Sequence, residues 1–450
     1  MSELLGTTIG KTAQRLLQLF KNRGQSLPGL IVEKLWPTYL PTMLEQLPEG
    51  IVFVMGTNGK TTTTKIITEL LRAQGKRVIT NETGSNLTRG VISGVLQHAR
   101  WDGTLPFDIA VFEVDEAYAS KLLAHIKPRW VLALNVSRDQ LDRFGEVDAV
   151  AQLLGKAMSA AEEGVVTNAD DPYLSAIGAE LSSQQWLPVE YFGTDHTLHR
   201  HFPHEKMIAS VDSNHANTHG QRYKAQPKVQ LTHFHKQDVA YTVDDQTYQT
   251  RLQLVDPHNY LNAAAALALV LQLLPDTPVT KHLDNLAKIT PAYGRGQLFK
   301  LGDGGTVQLT LVKNPVSFFQ ALSSYQTSGC DIMIAINDNY ADSRDVSWLW
   351  DVNFLPLKGK YRIITSGQRA ADMALRLQYD DISTENIPNI DQALQTVCGR
   401  SKRKVIFATY TAMLHLYDVL KKQAAEILPA QTARLDTKPS VRQPSHGGAR

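Results

Sequence analysis

From residue 50 onward, short continuous apolar runs alternate with longer amphipathic stretches. Ile51-Val52-Phe53-Val54-Met55 is apolar throughout, the pattern of a strand buried on both faces. The segment after it sets Ile66, Ile67, Leu70 and Leu71 on one helical side. Val78-Ile79-Thr80, Ile109–Phe112, Trp130–Leu134 and Gly164–Val166 repeat the strand pattern. Strands alternating with helices predict an α/β fold with a mainly parallel sheet covered by helices.

The flanks of this region differ. Leu16, Leu17, Phe20, Ile31, Val32 and Leu35 recur at helical spacing around Gly24 and Pro28, so residues 1–45 are predicted as an N-terminal helical segment. Lys11, Arg15, Lys21 and Arg23 make it basic, which suits either a solvated face or a membrane-surface contact. Residues 193–250 break the strand–helix rhythm and carry eight of the 14 histidines: His196, His199, His201, His204, His215, His219, His233 and His235. The alternation over Val239–Val243 predicts a β meander, either an insertion or a peripheral sheet, and a helix is expected over Asn259–Leu274.

A second, smaller α/β unit is predicted over 291–428, leaving 46–290 as the central unit. Its strands are expected at Val307–Val312, Ile332–Ile336, Arg362–Thr365 and Val405–Ala408, with helical patterns at Phe318–Ser324, Arg369–Gln378, Ile390–Val397 and Ala412–Lys422. Residues 429–450 lack periodicity and are expected as a disordered tail.

Composition narrows the function. Lys+Arg 46 against Asp+Glu 44 gives a net charge of +2, which offers no global field for nucleic acid. The two cysteines, Cys330 and Cys398, exclude a disulfide framework, a four-cysteine zinc site and a GxCxG-type glutaminase nucleophile within this chain. No run reaches the ~18 apolar residues of a membrane helix, and Met1–Gly10 lacks the apolar region of a secretory signal. A cytoplasmic location is expected, with access to the inner face of the membrane.

Gly56-Thr57-Asn58-Gly59-Lys60-Thr61-Thr62 joins the first strand to its helix. Glycines let backbone N–H groups turn toward an anion, the helix N-terminus adds its positive end, Lys60 can bridge β- and γ-phosphates, and Thr61 can ligate Mg²⁺. The spacing is not a strict Walker A, because Val54 stands where its first glycine belongs. Glu113, at the end of the strand Ile109–Phe112, is the expected Mg²⁺ ligand, with Asp115 and Glu116 beside it as alternatives. Asp139–Gly145 and Asn168–Pro172 follow later strands and suit either the same site or loop caps.

These residues, with His258-Asn259-Tyr260-Leu261-Asn262 and Gly294-Arg295, resemble the ATP-dependent Mur ligases. The resemblance implies ATP and Mg²⁺, with Asn259 and Asn262 near adenine and Arg295 at the hinge into the C-terminal domain. Ser26–Gly29, Asn81–Leu87, Arg138–Glu146 and Asn337–Trp348 resemble more closely the MurT family, the Mur-ligase-like subunits of lipid II isoglutaminyl synthases. Membership implies ATP-dependent amidation of the D-Glu α-carboxylate of lipid II, in peptidoglycan biosynthesis, with ammonia from a GatD-type glutaminase subunit. It also implies that Asp345 completes the partner's Cys-His pair, whereas the local reading of Asp345 is a cap on the turn at Val346–Trp350, with Asp342 and Asp351 as nearby alternatives. MurT proteins commonly carry a four-cysteine zinc ribbon in the central domain; this chain has no cysteine there, so no structural zinc is expected, and the histidine spacings form no tidy metal signature. Asn314–Ser317 resembles the family's Asn-Pro segment but lacks the small residue and asparagine usual after it, and Ser343 and Asn353 replace the glycine and aspartate that the resemblance leads one to expect. The competing functions are a stand-alone Mur or folylpolyglutamate-type amino-acid ligase and a non-catalytic nucleotide-binding subunit.

Overall fold

A computed structural model of the chain describes residues 6–12, 27–81, 88–137, 147–184, 187–202, 225–254, 256–290, 297–324, 330–359, 361–399 and 403–428. Among them are two sheets. The first has nine strands: β1 (Ile51–Met55), β2 (Val78–Thr80), β3 (Ile109–Glu113), β4 (Trp130–Ala133), β5 (Gly164–Asn168), β6 (Val189–Thr194), β7 (Val229–His235), β8 (Asp238–Val243) and β9 (Gln246–Arg251), in the order β2-β3-β1-β4-β5-β6-β7-β8-β9. Pairing is parallel from β2 to β7 and antiparallel through β7-β8-β9.

The apolar run of β1 is explained by its place near the middle of this sheet. Ile51, Phe53 and Met55 enter one core layer, with Val32, Tyr39 and Met43 from the N-terminal helices. Val52 and Val54 enter the opposite layer, with Ile66, Ile67, Leu70 and Leu71 of the helix Lys60–Ala73 and Ala263–Val270 of the helix Pro257–Leu273. Successive side chains on a strand point to opposite faces, so a run buried on both sides shows no alternation. Helices Leu27–Leu35 and Tyr39–Leu44 thus form part of the cover of this sheet.

The second sheet has seven strands: β10 (Gln297–Leu301), β11 (Thr306–Leu311), β12 (Asp331–Ala335), β13 (Arg362–Ser366), β14 (Glu385–Asn386), β15 (Arg403–Ala408) and β16 (Ala424–Leu428), in the order β14-β13-β12-β15-β11-β10-β16. The core strands are parallel; β10 and β16 form an antiparallel edge. Helices Pro315–Ser324, Ala370–Tyr379, Ile390–Cys398 and Tyr410–Gln423 cover it. No described helix is long and apolar enough to cross a membrane.

Two expectations change. The meander extends the main sheet at its periphery through the parallel pair β6-β7. Its lead strand β6 begins before the rhythm was expected to break, and only its last three residues are fully buried, which hides it from an apolar-run reading. The strands β10, β14 and β16 were not anticipated; β14 is two residues long and exposed. Residues 429–450 lie outside the described residues.

Candidate active site

Gly56–Gly59 leaves the C-terminal end of β1 and feeds the helix Lys60–Ala73. Both glycines have positive φ, +127° for Gly56 and +87° for Gly59, so each uses a conformation that L side chains rarely adopt. A methyl group on Gly59 would lie 2.4 Å from Asn262 Oδ1, which places the start of the helix Lys60–Ala73 in close approach to the second turn of the helix Pro257–Leu273.

Neighbouring strands hold the loop. The Asn58 N–H donates to Asn135 Oδ1 at 2.8 Å, Asn135 Nδ2 donates to the Asn58 carbonyl at 2.9 Å, and the Thr57 N–H donates to the Asn135 carbonyl at 3.0 Å. Thr57 Oγ1 donates to the Ser137 carbonyl and accepts the Ser137 N–H. Sequence reasoning missed Asn135; its only signal was a polar residue just past β4, the strand paired beside β1. Asn58 Nδ2 is buried and has no hydrogen-bond partner among the described residues, so the loop keeps an unspent donor.

The predicted ionic residues gather here. Thr61 Oγ1 lies 2.8 Å from Glu113 Oε2. Asn81 fixes the Glu113 backbone from both sides, accepting its N–H at 2.9 Å and donating to its carbonyl at 2.8 Å. Lys60 Nζ donates to the Gly56 carbonyl at 2.6 Å and to Glu116 Oε1 at 3.2 Å. Both members of that ion pair are buried. Burial raises the Glu116 pKa, but the Lys60 charge, helped by Lys313, outweighs it and holds the carboxyl below its ordinary value. Thr62 is buried in the helix's first turn. The oxygen pair Thr61–Glu113 is the hard donor set that Mg²⁺ takes, and the glycine-lined loop with its unspent donor fits a polyphosphate.

The C-terminal unit reaches the same loop. Lys313 Nζ donates to the Thr57 carbonyl at 3.0 Å, and Asn314 Nδ2 donates to Asn58 Oδ1 at 3.1 Å. Asn314 is fully buried, and its Oδ1 accepts the Ser317 N–H at 2.8 Å as a cap on the helix Pro315–Ser324.

Other predicted residues take structural roles or stand apart. Asn168 Nδ2 donates to the Leu134 carbonyl, Asp171 caps the helix Pro172–Ser183 and accepts the Val136 N–H, and Asp170 accepts from Thr194. That is the cap reading of Asn168–Pro172. Asn259 lies in the first turn of its helix, its N–H on the Asp256 carbonyl. The preceding residue of that turn, His258, stacks edge-on against Phe202 at 5.4 Å between ring centroids, and burial pushes its pKa down to about 3. Arg295, residues 82–87 and 138–146, and His204, His215 and His219 lie outside the described residues. Among the described residues no group of three or more His, Cys, Asp or Glu side chains could hold a metal ion.

Asp345 sits in the second unit. Its Oδ1 accepts the Ser347 N–H at 2.8 Å, an Asx-type turn that leads into the short 3₁₀ turn Ser347–Asp351. Asp342 is buried and accepts the Thr411 N–H at 2.7 Å and the Thr411 hydroxyl, so it is committed to the fold. Ser343 has φ +75°, the conformation for which the family's glycine is suited. Asn353 Oδ1 accepts the Leu355 N–H at 3.0 Å, a turn that an aspartate would make equally well.

Comparison with known proteins adds the family. Residues 54–270 match the Mur ligase middle domain, and residues 311–413 match the MurT ligase C-terminal domain. The chain belongs to the MurT family of Mur ligases. It is 29% identical to the lipid II isoglutaminyl synthase (glutamine-hydrolyzing) subunit MurT of Staphylococcus aureus, over 92% of this chain and 97% of that one. The Streptococcus pneumoniae MurT subunit is likewise 29% identical, over 92% of this chain and 96% of its own length. The fold matches MurF from Acinetobacter baumannii (TM-score 0.66, 15% identity, covering 87% of this chain and 80% of that one) and Thermotoga maritima MurF in complex with ADP (TM-score 0.63, 16% identity, covering 87% and 85%). Membership of the Mur ligase family makes this chain an ATP-dependent ligase.

Proposed function

We propose that this chain activates the D-Glu α-carboxylate of lipid II with ATP, and that ammonia from a GatD-type glutaminase subunit completes the amide. The observation that carries this reading is the convergence of Lys60, Thr61 and Glu113 on one glycine loop. On this reading residues 46–290 form the ATP-binding domain and 291–428 the domain that closes on it.

A carboxylate resists ammonia because its oxygen is a poor leaving group. One carboxylate oxygen attacks the γ-phosphorus, the bond to ADP breaks, and an acyl phosphate forms. Ammonia then attacks the acyl carbon, inorganic phosphate leaves, and the amide nitrogen loses its extra proton. The Gly56–Gly59 backbone and the helix start at Lys60 would cradle the phosphates, and the Lys60 ammonium would follow the charge that moves to the β–γ bridge. Mg²⁺, held by Thr61 and Glu113, would neutralise phosphate oxygens and hold the terminal phosphate in line. Asn259, Asn262 and Arg295 would hold the base and hinge side of the nucleotide. Asp345 would orient the histidine of the partner's Cys-His pair, as the third member of a triad does.

The decisive experiment supplies ATP, Mg²⁺, ammonia and lipid II to the complex with its glutaminase and follows the mass change of the stem peptide. Amidation should depend on ATP and fall by at least about 100-fold in Lys60→Met. Turnover by the isolated chain with an amino acid acceptor, and none with ammonia, would replace this reading with a stand-alone ligase. Amidation unaffected by Lys60→Met would leave a nucleotide-binding subunit without catalysis.

A further inference from the structure

We propose that Lys313 is a second cation of the phosphoryl-transfer site, delivered by the C-terminal domain when the two domains meet. The proposal rests on reading the Gly56–Gly59 loop as the ATP site. Lys313 precedes the helix Pro315–Ser324 and belongs to the second sheet's unit, yet its Nζ donates to the Thr57 carbonyl at 3.0 Å. The next residue, Asn314, bonds the loop at Asn58, so two consecutive residues of one domain touch two consecutive residues of the other's phosphate loop.

Electrostatics agree with the placement. Lys60 pairs with the buried Glu116 carboxylate, and the Lys313 charge acts on that carboxylate in the same direction, so both ammonium groups lie on the loop's acidic side. Two cations beside this carboxylate bring positive charge to the place where an anion would bind. A phosphoryl group in flight carries its charge on equatorial oxygens, and preformed cations lower the barrier when they meet that charge without reorganising. The backbone supports this. The Lys313 N–H donates to Ser317 Oγ at 3.0 Å and the Asn314 side chain caps the helix, so the lysine stands on a rigid turn. Lys60 is anchored from within the loop, whereas Lys313 arrives only with the closed domain pair. The second cation would therefore tie phosphoryl transfer to closure.

The test uses the intact complex with ammonia as nitrogen donor, so that glutamine hydrolysis does not enter. Lys313→Met should lower kcat at least about 100-fold while ADP affinity, measured by calorimetry, changes less than about threefold, since ADP lacks the transferred group. Lys313→Arg should recover at least about a tenth of the activity by restoring charge. A purely structural latch would weaken ADP binding and thermal stability together and would not respond to Arg; that result overturns the proposal, as does a Lys313→Met enzyme within threefold of the parent. Lys60→Met is the control: if it keeps full ATP turnover, the ATP reading of the loop fails, and if it loses turnover while Lys313→Met does not, only the role of Lys313 fails.

Discussion

Two acidic loops, one at the edge of each sheet, are built differently. After β3, Glu113 and Glu116 are tied by their side chains to Thr61 and Lys60 of another element, and Asn81 pins the Glu113 backbone. After β12, the scaffold is equally firm: Asn337 and Asp342 bond Thr411, Asp338 pairs with Arg369, and Trp348 is buried. Yet among the described residues the side chain of Asp345 reaches only the N–H two residues on. Around it, Tyr340 is 73% exposed and Trp350 46% exposed. The first loop meets its partners on another element; the second holds the half-buried Asp345 carboxylate on a rigid frame beside exposed aromatic rings, and the partner-facing role proposed above for Asp345 can be tested there.

The sharpest break of this comparison is Asp345→Asn in the complex. Glutamine-dependent amidation should fall by about 10³–10⁴-fold, because a histidine without its carboxylate loses its tautomer and orientation. Ammonia-dependent amidation should persist. Equal losses in both assays would move Asp345 into the ATP half of the reaction, and no loss in either would leave it a turn cap. The corresponding change at the first loop, Glu116→Gln, should act on folding as well as on turnover. It leaves buried Lys60 without its counter-ion, which costs about 3 kcal/mol. Denaturant unfolding of the chain measures this, and a change under about 0.5 kcal/mol would mean that the other contacts of Lys60, the Gly56 carbonyl among them, suffice.

What the sequence revealed follows the same division. The candidate phosphate loop was legible because its chemistry is local: glycine, lysine and threonine within seven residues. Glu113 was legible because it ends an apolar strand. Asn135 and Lys313 were not, since nothing in a linear reading brings residue 135 beside 58, or 313 beside 57. The sheet order does the first and the meeting of the two units does the second. The edge strand Ala424–Leu428 was missed because, among the described residues, it pairs only through β10, itself unanticipated. Glu116 was visible as an acidic neighbour, but its ion pair with Lys60 was not.

Acid should loosen the first sheet's unit through His258. The His258 imidazole, beside Asn259 and against Phe202, titrates near 3 when folded and near 6.5 in an open chain. Below about pH 6.5 the unfolded state binds a proton that the folded state refuses. Stability from this group is thus full above that pH and falls by about 1.4 kcal/mol per unit toward pH 3. His258→Phe removes the titration and keeps an aromatic ring. The difference in unfolding free energy between parent and variant should shift by about 1 kcal/mol between pH 6 and pH 5, in the direction of a weaker parent. Parallel pH profiles would show that His258 is not held neutral.

The smallest effect tests whether a departure from the family pattern carries strain. Ser343 is buried with φ +75°, between the Asp342–Thr411 bonds and the segment that bears Asp345. A left-handed conformation costs an L residue about 1–2 kcal/mol, and glycine avoids that at an entropic cost of about 0.5–1 kcal/mol. Ser343→Gly should therefore raise stability by up to about 1 kcal/mol, while Ser343→Val, β-branched at positive φ, should lower it by more than Ser343→Gly raises it. Glutamine-dependent turnover should follow the same order, because the frame that aims Asp345 is what the strain loads. If glycine instead destabilises the chain by more than about 1 kcal/mol, the serine hydroxyl is worth more than the backbone strain, and the family's glycine is not explained by conformation alone.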